Sequence, residues 1–191
     1  DHRDLHSFPT RRSSDLDKVR VEVPDVFQID GPGIRLPEIV DAAITYLGAG
    51  NSPFFLMVEG GKIDYAGHAN KAPAMVQELL QFDAAIGKAI AFAKAHPEET
   101  LIVVTADHET GGLQLDAAKF AAQNPDQVKA WMTGAKTDVD EKAWGIAWTT
   151  GGHTNTNVLL RASGPGMEAL TGIHENTEPA RVIRPLIEAA K

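Results

Sequence analysis

Hydrophobic and polar positions alternate with two different periods along this chain, and the change between them marks its elements. Val19 to Val23 reads Val-Arg-Val-Glu-Val, the two-residue alternation of a strand with one exposed face. Between Pro37 and Leu47 the apolar residues Ile39, Val40, Ala43, Ile44 and Leu47 follow helical spacing, with proline in the first turn and Gly48 as the stop. Pro53 to Val58 is an unbroken apolar run of strand length. Ala72 to Ala95 carries Val76, Leu79, Leu80, Ala84, Ile86, Ile90 and Phe92, a long amphipathic helix closed by His96-Pro97. Leu101 to Thr105 is a second buried-strand run, β-branched and uncharged. Residues 109–145 form a polar insertion, with helical patches at Asp116 to Ala122 and Pro125 to Trp131. Ala147 to Thr150 and Asn157 to Ala162 are weaker strand patterns, and a last helix is predicted from Thr177-Glu178-Pro179 to Ala190. The order strand, helix, strand, long helix, strand predicts an α/β layered domain with a largely parallel sheet.

In such sheets the chemistry gathers beyond the carboxyl ends of the strands. The run ending at Val58 delivers Glu59 there, followed by Asp64 and His68, which are four apart and so share one helix face. The next run delivers Asp107 and His108. Further on, the glycine pair Gly151-Gly152 lets the backbone bend and carry His153 inward. Each group alone has a plain structural reading as a helix cap or a turn. Together, Asp64, His68 and His153 are the three nitrogen and oxygen donors of a catalytic zinc that keeps a fourth position open. Asp107 and His108 offer two ligands to a second such site and leave it under-coordinated. Glu59 suits a harder ion such as magnesium. Two metals about 4 Å apart clamp the attacking and leaving oxygens of an in-line displacement at phosphorus. His2, His6, His96 and His174 fall outside these groups.

Composition narrows the partners. A formal net charge of −8 over 191 residues argues against a nucleic-acid backbone or an anionic membrane surface. An anionic substrate would then be attracted by bound cations rather than by the chain itself. There is no cysteine, hence no disulfide, thiolate ligand or cysteine nucleophile. No apolar run approaches the ~20 residues of a membrane span, and no signal segment is visible. Residues 1–16, with Arg3, Arg11, Arg12, Ser7, Ser13 and Ser14 and no apolar period, read as a non-native or disordered leader.

Three motifs now stand in order: Val58-Glu59-Gly60-Gly61-Lys62-Ile63-Asp64-x3-His68-Ala69-Asn70, Thr105-Ala106-Asp107-His108-Glu109-Thr110-Gly111-Gly112, and Gly152-His153-Thr154. They resemble the carboxy-terminal metal motifs of alkaline phosphatases, and the resemblance runs from about Asp17 to the end of the chain. It implies an α/β three-layer sandwich with a largely parallel central sheet flanked by helices, incomplete at its amino-terminal side. Residues 17–191 would be the carboxy-terminal part of that domain. Asp64, His68 and His153 would bind the first zinc, Asp107 and His108 the second, and Glu59 the magnesium. The implied reaction is hydrolysis of small phosphate monoesters through a phosphoserine, by a dimeric, exported (periplasmic or extracellular) enzyme.

The family's nucleophilic serine lies in an Asp-Ser-Ala context, and an aspartate bridges the second zinc and magnesium. Neither is found here. The serines are Ser7, Ser13, Ser14, Ser52 and Ser163, and Ser14-Asp15 reverses the required order. No catalytic residue is therefore assigned, and the expectation is a truncated chain with little activity alone. Two-zinc nucleotide pyrophosphatase/phosphodiesterases resemble it at the zinc motifs but lack a carboxylate at the place of Glu59. Sulfatases fit less well, with a single hard cation and a modified Cys or Ser. A metal-binding module without chemistry is the non-enzymatic alternative. Tyr65, Thr110 and Thr154 lie beside the ligands, the last two as hydroxyls that would brace them.

Overall fold

The computed structural model describes residues 33–50, 52–136 and 138–189. The leader and the Val19 to Val23 pattern lie outside them. Helix α1 (Leu36–Gly48) begins where the Arg35 backbone N–H donates to Glu38 Oε2 at 2.8 Å and the Glu38 N–H donates to the Arg35 carbonyl at 3.1 Å. It buries Val40 and Ile44 against α3 (Ala72–Ala95), whose bounds match the apolar pattern. Leu56 and Val58 pack on the same cluster beside Ala85, Ala89 and Phe92. Between them comes α2 (Lys62–His68), which stops at Asn70, a residue in the left-handed region with φ 52°.

Two expectations change here. The run Pro53 to Val58 joins no strand ladder among the described residues. Its side chains still split as a strand's would: Leu56 and Val58 face the helices, while Phe55 and Met57 are exposed at 55% and 56%. A strand is defined by a hydrogen-bonded neighbour, and apolar composition alone does not supply one. The second change concerns α3, whose described neighbours bury Ala72 and Ala85 and leave Leu79, Leu80 and Ile90 exposed. Its apolar residues spread around more than one face, so periodicity did not decide which face is covered.

The strands that do pair are short and antiparallel. β1 (Ile102–Val104) pairs with β6 (Arg161–Ser163), β2 (Glu109–Thr110) with β5 (His153–Thr154), and β3 (Gln114–Leu115) with β4 (Ile146–Ala147). Segments 102–115 and 146–163 thus run past each other as one long interrupted hairpin. The polar insertion is the far end of that hairpin. It holds α4 (Ala117–Ala121) and α5 (Pro125–Met132), each begun by a side-chain cap, Asp116 and Asn124. The backbone N–H of Lys119, then its ammonium, hold the Asp116 carboxyl below its usual range.

Beneath these caps Trp131, Trp144 and Ile146 are buried, with Phe120, Val128 and Met132 around them. The Trp131 and Trp144 ring centroids lie 5.8 Å apart, and Phe120 meets both edge-on. The insertion, polar by composition, therefore closes an aromatic core over the buried Ala72 at the start of α3. A 3-10 turn at Met167–Leu170 leads to α6 (Glu178–Ala189).

Candidate metal centre

Three separate stretches deliver side chains to one place: α2, the residues between β1 and β2, and β5. Asp64 and His68 lie one turn apart on α2, and His68 Nε2 stands 3.4 Å from Asp64 Oδ2. From β5, His153 Nε2 comes within 3.2 Å of His68 Nε2 and 3.5 Å of Asp64 Oδ1. Beside them, His108 stacks on His153 with ring centroids 3.5 Å apart. Asp64, His108 and His153 each offer a ligand atom, all within 4.8 Å of one another. Oxygen and nitrogen donors converging this closely could hold a divalent metal.

Two elements approach closely enough for this because glycines stand at the contact. A Cβ on Gly67 would lie 2.9 Å from the Thr110 carbonyl oxygen and 3.0 Å from its Cβ, so α2 could not rest on β2 with any larger residue. Gly111, at φ 93°, donates its N–H to the Gly152 carbonyl at 2.9 Å and carries the chain from β2 past Trp148. The imidazoles are aimed by hydrogen bonds. His68 Nδ1 lies 2.7 Å from the Gly151 carbonyl oxygen, which can only accept, so Nδ1 carries the proton and Nε2 keeps its lone pair. Thr110 Oγ1 donates to Asp64 Oδ1 at 2.6 Å.

Asp107 and His108 also converge, with His108 Nε2 3.4 Å from Asp107 Oδ2. Asp107's side chain is 87% exposed, and neither Asp107 nor His68 belongs to the group of Asp64, His108 and His153. Glu59 is exposed at the end of the apolar run and is not in the metal-capable group found among the described residues. His108 does join that group, where the sequence placed it with Asp107 alone.

Sequence reasoning passed over Glu109 as part of a motif. Its carboxylate accepts from the backbone N–H of Gly112 and Leu113 and from the Thr154 hydroxyl, tying β2 to β5 across the pair Glu109–Thr154. The glycine pair at 111–112 was the available signal, since such a turn leaves backbone donors for a nearby carboxylate. Tyr65 is half exposed, with the Lys62 ammonium 4.1 Å above its ring.

Residues 26–131, more than half of the chain, match the family model "Alkaline phosphatase". The chain belongs to the alkaline phosphatase family. Alkaline phosphatase 3 of Bacillus subtilis is 32% identical over 197 residues, covering 76% of this chain and 42% of that protein. Repressible alkaline phosphatase of Saccharomyces cerevisiae is 41% identical over 96 residues, 46% of this chain and 17% of the relative. The alkaline phosphatase of the Antarctic bacterium TAB5 superposes with a TM-score of 0.63 at 39% identity, over 82% of this chain and 42% of that one. A mutant of the TAB5 enzyme has been solved with magnesium bound. The chain thus spans well under half the length of these relatives. Among the described residues no helix is long and apolar enough to cross a membrane.

Proposed function

We propose that this chain supplies most of the metal ligands of a phosphate-monoester hydrolase that works with two zinc ions and one magnesium. The observation that carries this reading is the spacing of the Asp64, His68 and His153 ligand atoms. Ligand atoms about 2.0–2.1 Å from one tetrahedral zinc lie about 3.3–3.4 Å from each other. The contacts among these three residues are 3.2, 3.4 and 3.5 Å, with His68 against Oδ2 and His153 against Oδ1 of the Asp64 carboxylate. Asp107 Oδ2 and His108 Nε2, at 3.4 Å, have the same spacing and would serve the second zinc. Glu59 is assigned to magnesium, and its carboxylate favours a monoesterase over a two-zinc phosphodiesterase.

The ions, when bound, would polarise the phosphoryl oxygens and favour an oxygen nucleophile. The chain's own part is to hold and orient. The Gly151 carbonyl fixes the His68 proton on Nδ1, so that the ring presents Nε2 without rearrangement. Glu109 and Thr154 lock β2 against β5 and thereby the separation of His108 from His153. The attacking serine, which would form a phosphoserine, is assigned to none of the five serines of these residues. The net charge of −8 argues against nucleic acid, and bound cations would attract small phosphate esters. Dimerisation and an exported location are carried over from the family, as is a three-layer sandwich with a parallel sheet.

The test is metal content and turnover of the 191-residue polypeptide. One firmly held zinc and a weaker second are expected, the first lost in Asp64→Ala. With zinc and magnesium supplied, hydrolysis of p-nitrophenyl phosphate should be negligible. Turnover at rates typical of intact phosphatases would refute the assignment of the nucleophile elsewhere, and equal zinc binding by Asp64→Ala would refute the ligand set.

A further inference from the structure

Thr110 is the only buried polar residue among the described ones, 7% exposed. Its hydroxyl lies between two ligands that the sequence assigns to different metals. Asp64 Oδ1 is 2.6 Å away and, as a carboxylate oxygen, only accepts, so Thr110 gives it the single hydroxyl proton. His108 Nδ1 is 3.1 Å from the same oxygen. With the hydroxyl proton committed to Asp64, that contact is a hydrogen bond only if Nδ1 carries a proton and donates. The chain of bonds then has one direction, from His108 Nδ1–H to Thr110 Oγ1–H to Asp64 Oδ1.

This direction has a consequence for the far side of the ring. A neutral imidazole protonated at Nδ1 keeps its lone pair at Nε2, the atom that stands 3.4 Å from Asp107 Oδ2. The backbone puts the hydroxyl in position twice over. Thr110 pairs across the ladder with His153. Gly67 lets α2 approach until a Cβ there would touch the threonine's own atoms.

We propose that Thr110 is a positioning residue that couples the two zinc-ligand sets, orienting the Asp64 carboxylate and fixing His108 as the Nδ1–H tautomer through one hydroxyl. The proposal rests on the metal-centre reading above and deepens it. Removing the hydroxyl while keeping the shape should weaken both sites together, because one atom serves a ligand of each.

Thr110→Val replaces the hydroxyl by a methyl of similar size, and Thr110→Ser keeps the hydroxyl and gives up the methyl. Cobalt(II) titration of the full chain, followed by visible absorption, reads affinity and stoichiometry. Nitrogen-15 NMR of the imidazoles reads the His108 tautomer in the metal-free protein. Thr110→Val is expected to lose about 10–100-fold in cobalt affinity at both sites and to show His108 as a tautomer mixture. Thr110→Ser should stay close to wild type on both readouts. A purely structural threonine would give the reverse order, with the serine variant the worse of the two, and that result would overturn the proposal. So would wild-type binding by Thr110→Val, or an Nε2–H tautomer for His108 in the wild type, a readout that stands even if the valine variant does not fold. Failure of the wild type to bind cobalt would sink the metal reading instead, while the tautomer measurement still judges Thr110.

Discussion

The aromatic cluster of the insertion and the ligand cluster beside α2 show two ways of holding a chain together. The first gathers Phe120, Trp131, Trp144 and Ile146 from one stretch of sequence by removing apolar surface from water. The second gathers Asp64 and His68 with His108 and His153, from Asp64 to His153 across 89 residues of sequence, by directed contacts between polar groups. Burial is non-directional and tolerates small shifts. A ligand set does not, because each donor atom must face one point, and it has little apolar area of its own to hold it there. The cluster therefore borrows rigidity from a close glycine contact, from hydrogen bonds to Gly151 and Thr110, and from the Thr154–Glu109 bond that ties β2 to β5.

Three experiments test this contrast. The largest effect is expected for Trp131→Ala, which empties the centre of the aromatic cluster; a cost of about 3–5 kcal/mol should appear in urea unfolding. If the two regions are separately held, the variant that remains folded keeps the wild-type metal stoichiometry. Metal removal probes the other side. With free zinc at about 100 times its Kd, ligation stabilises the chain by about 2.7 kcal/mol, so chelation should lower Tm in the wild type and in Trp131→Ala alike. In Asp64→Ala most of that shift should vanish, and a full shift there would argue that the ion binds elsewhere. The smallest effect is expected at the cap of α5. Asn124 accepts from the N–H groups of Asp126 and Gln127, and Asn124→Ala should cost about 1 kcal/mol with metal affinity unchanged, read by thermal unfolding and zinc titration.

The family is legible from the three motifs, and α1 and α3 from apolar spacing nearly to the residue. α2 was implied by Asp64 and His68 standing four apart, and its formation puts both side chains toward the same partner. Pro53 to Val58 shows where such reading ends. Its composition is that of a strand, yet no ladder partner is found for it among the described residues, and partners are a property of tertiary structure. The weaker strand patterns were displaced for a related reason: Ile146–Ala147 and Arg161–Ser163 are set by their partners across the hairpin, not by local propensity.

Residue order alone yields an inventory: six candidate donor residues, in family order, with glycines beside them. Residue type and short-range spacing carry that information, because metal preference follows donor chemistry and a helical turn follows from four-residue spacing. Folding is what brings His108 against His153, sets Glu109 to bind the two strands together, and stands Thr110 between Asp64 and His108. These contacts join segments that approach each other only when α2 settles on β2 across Gly67, and the direction of a hydrogen bond exists only once both of its partners have been placed.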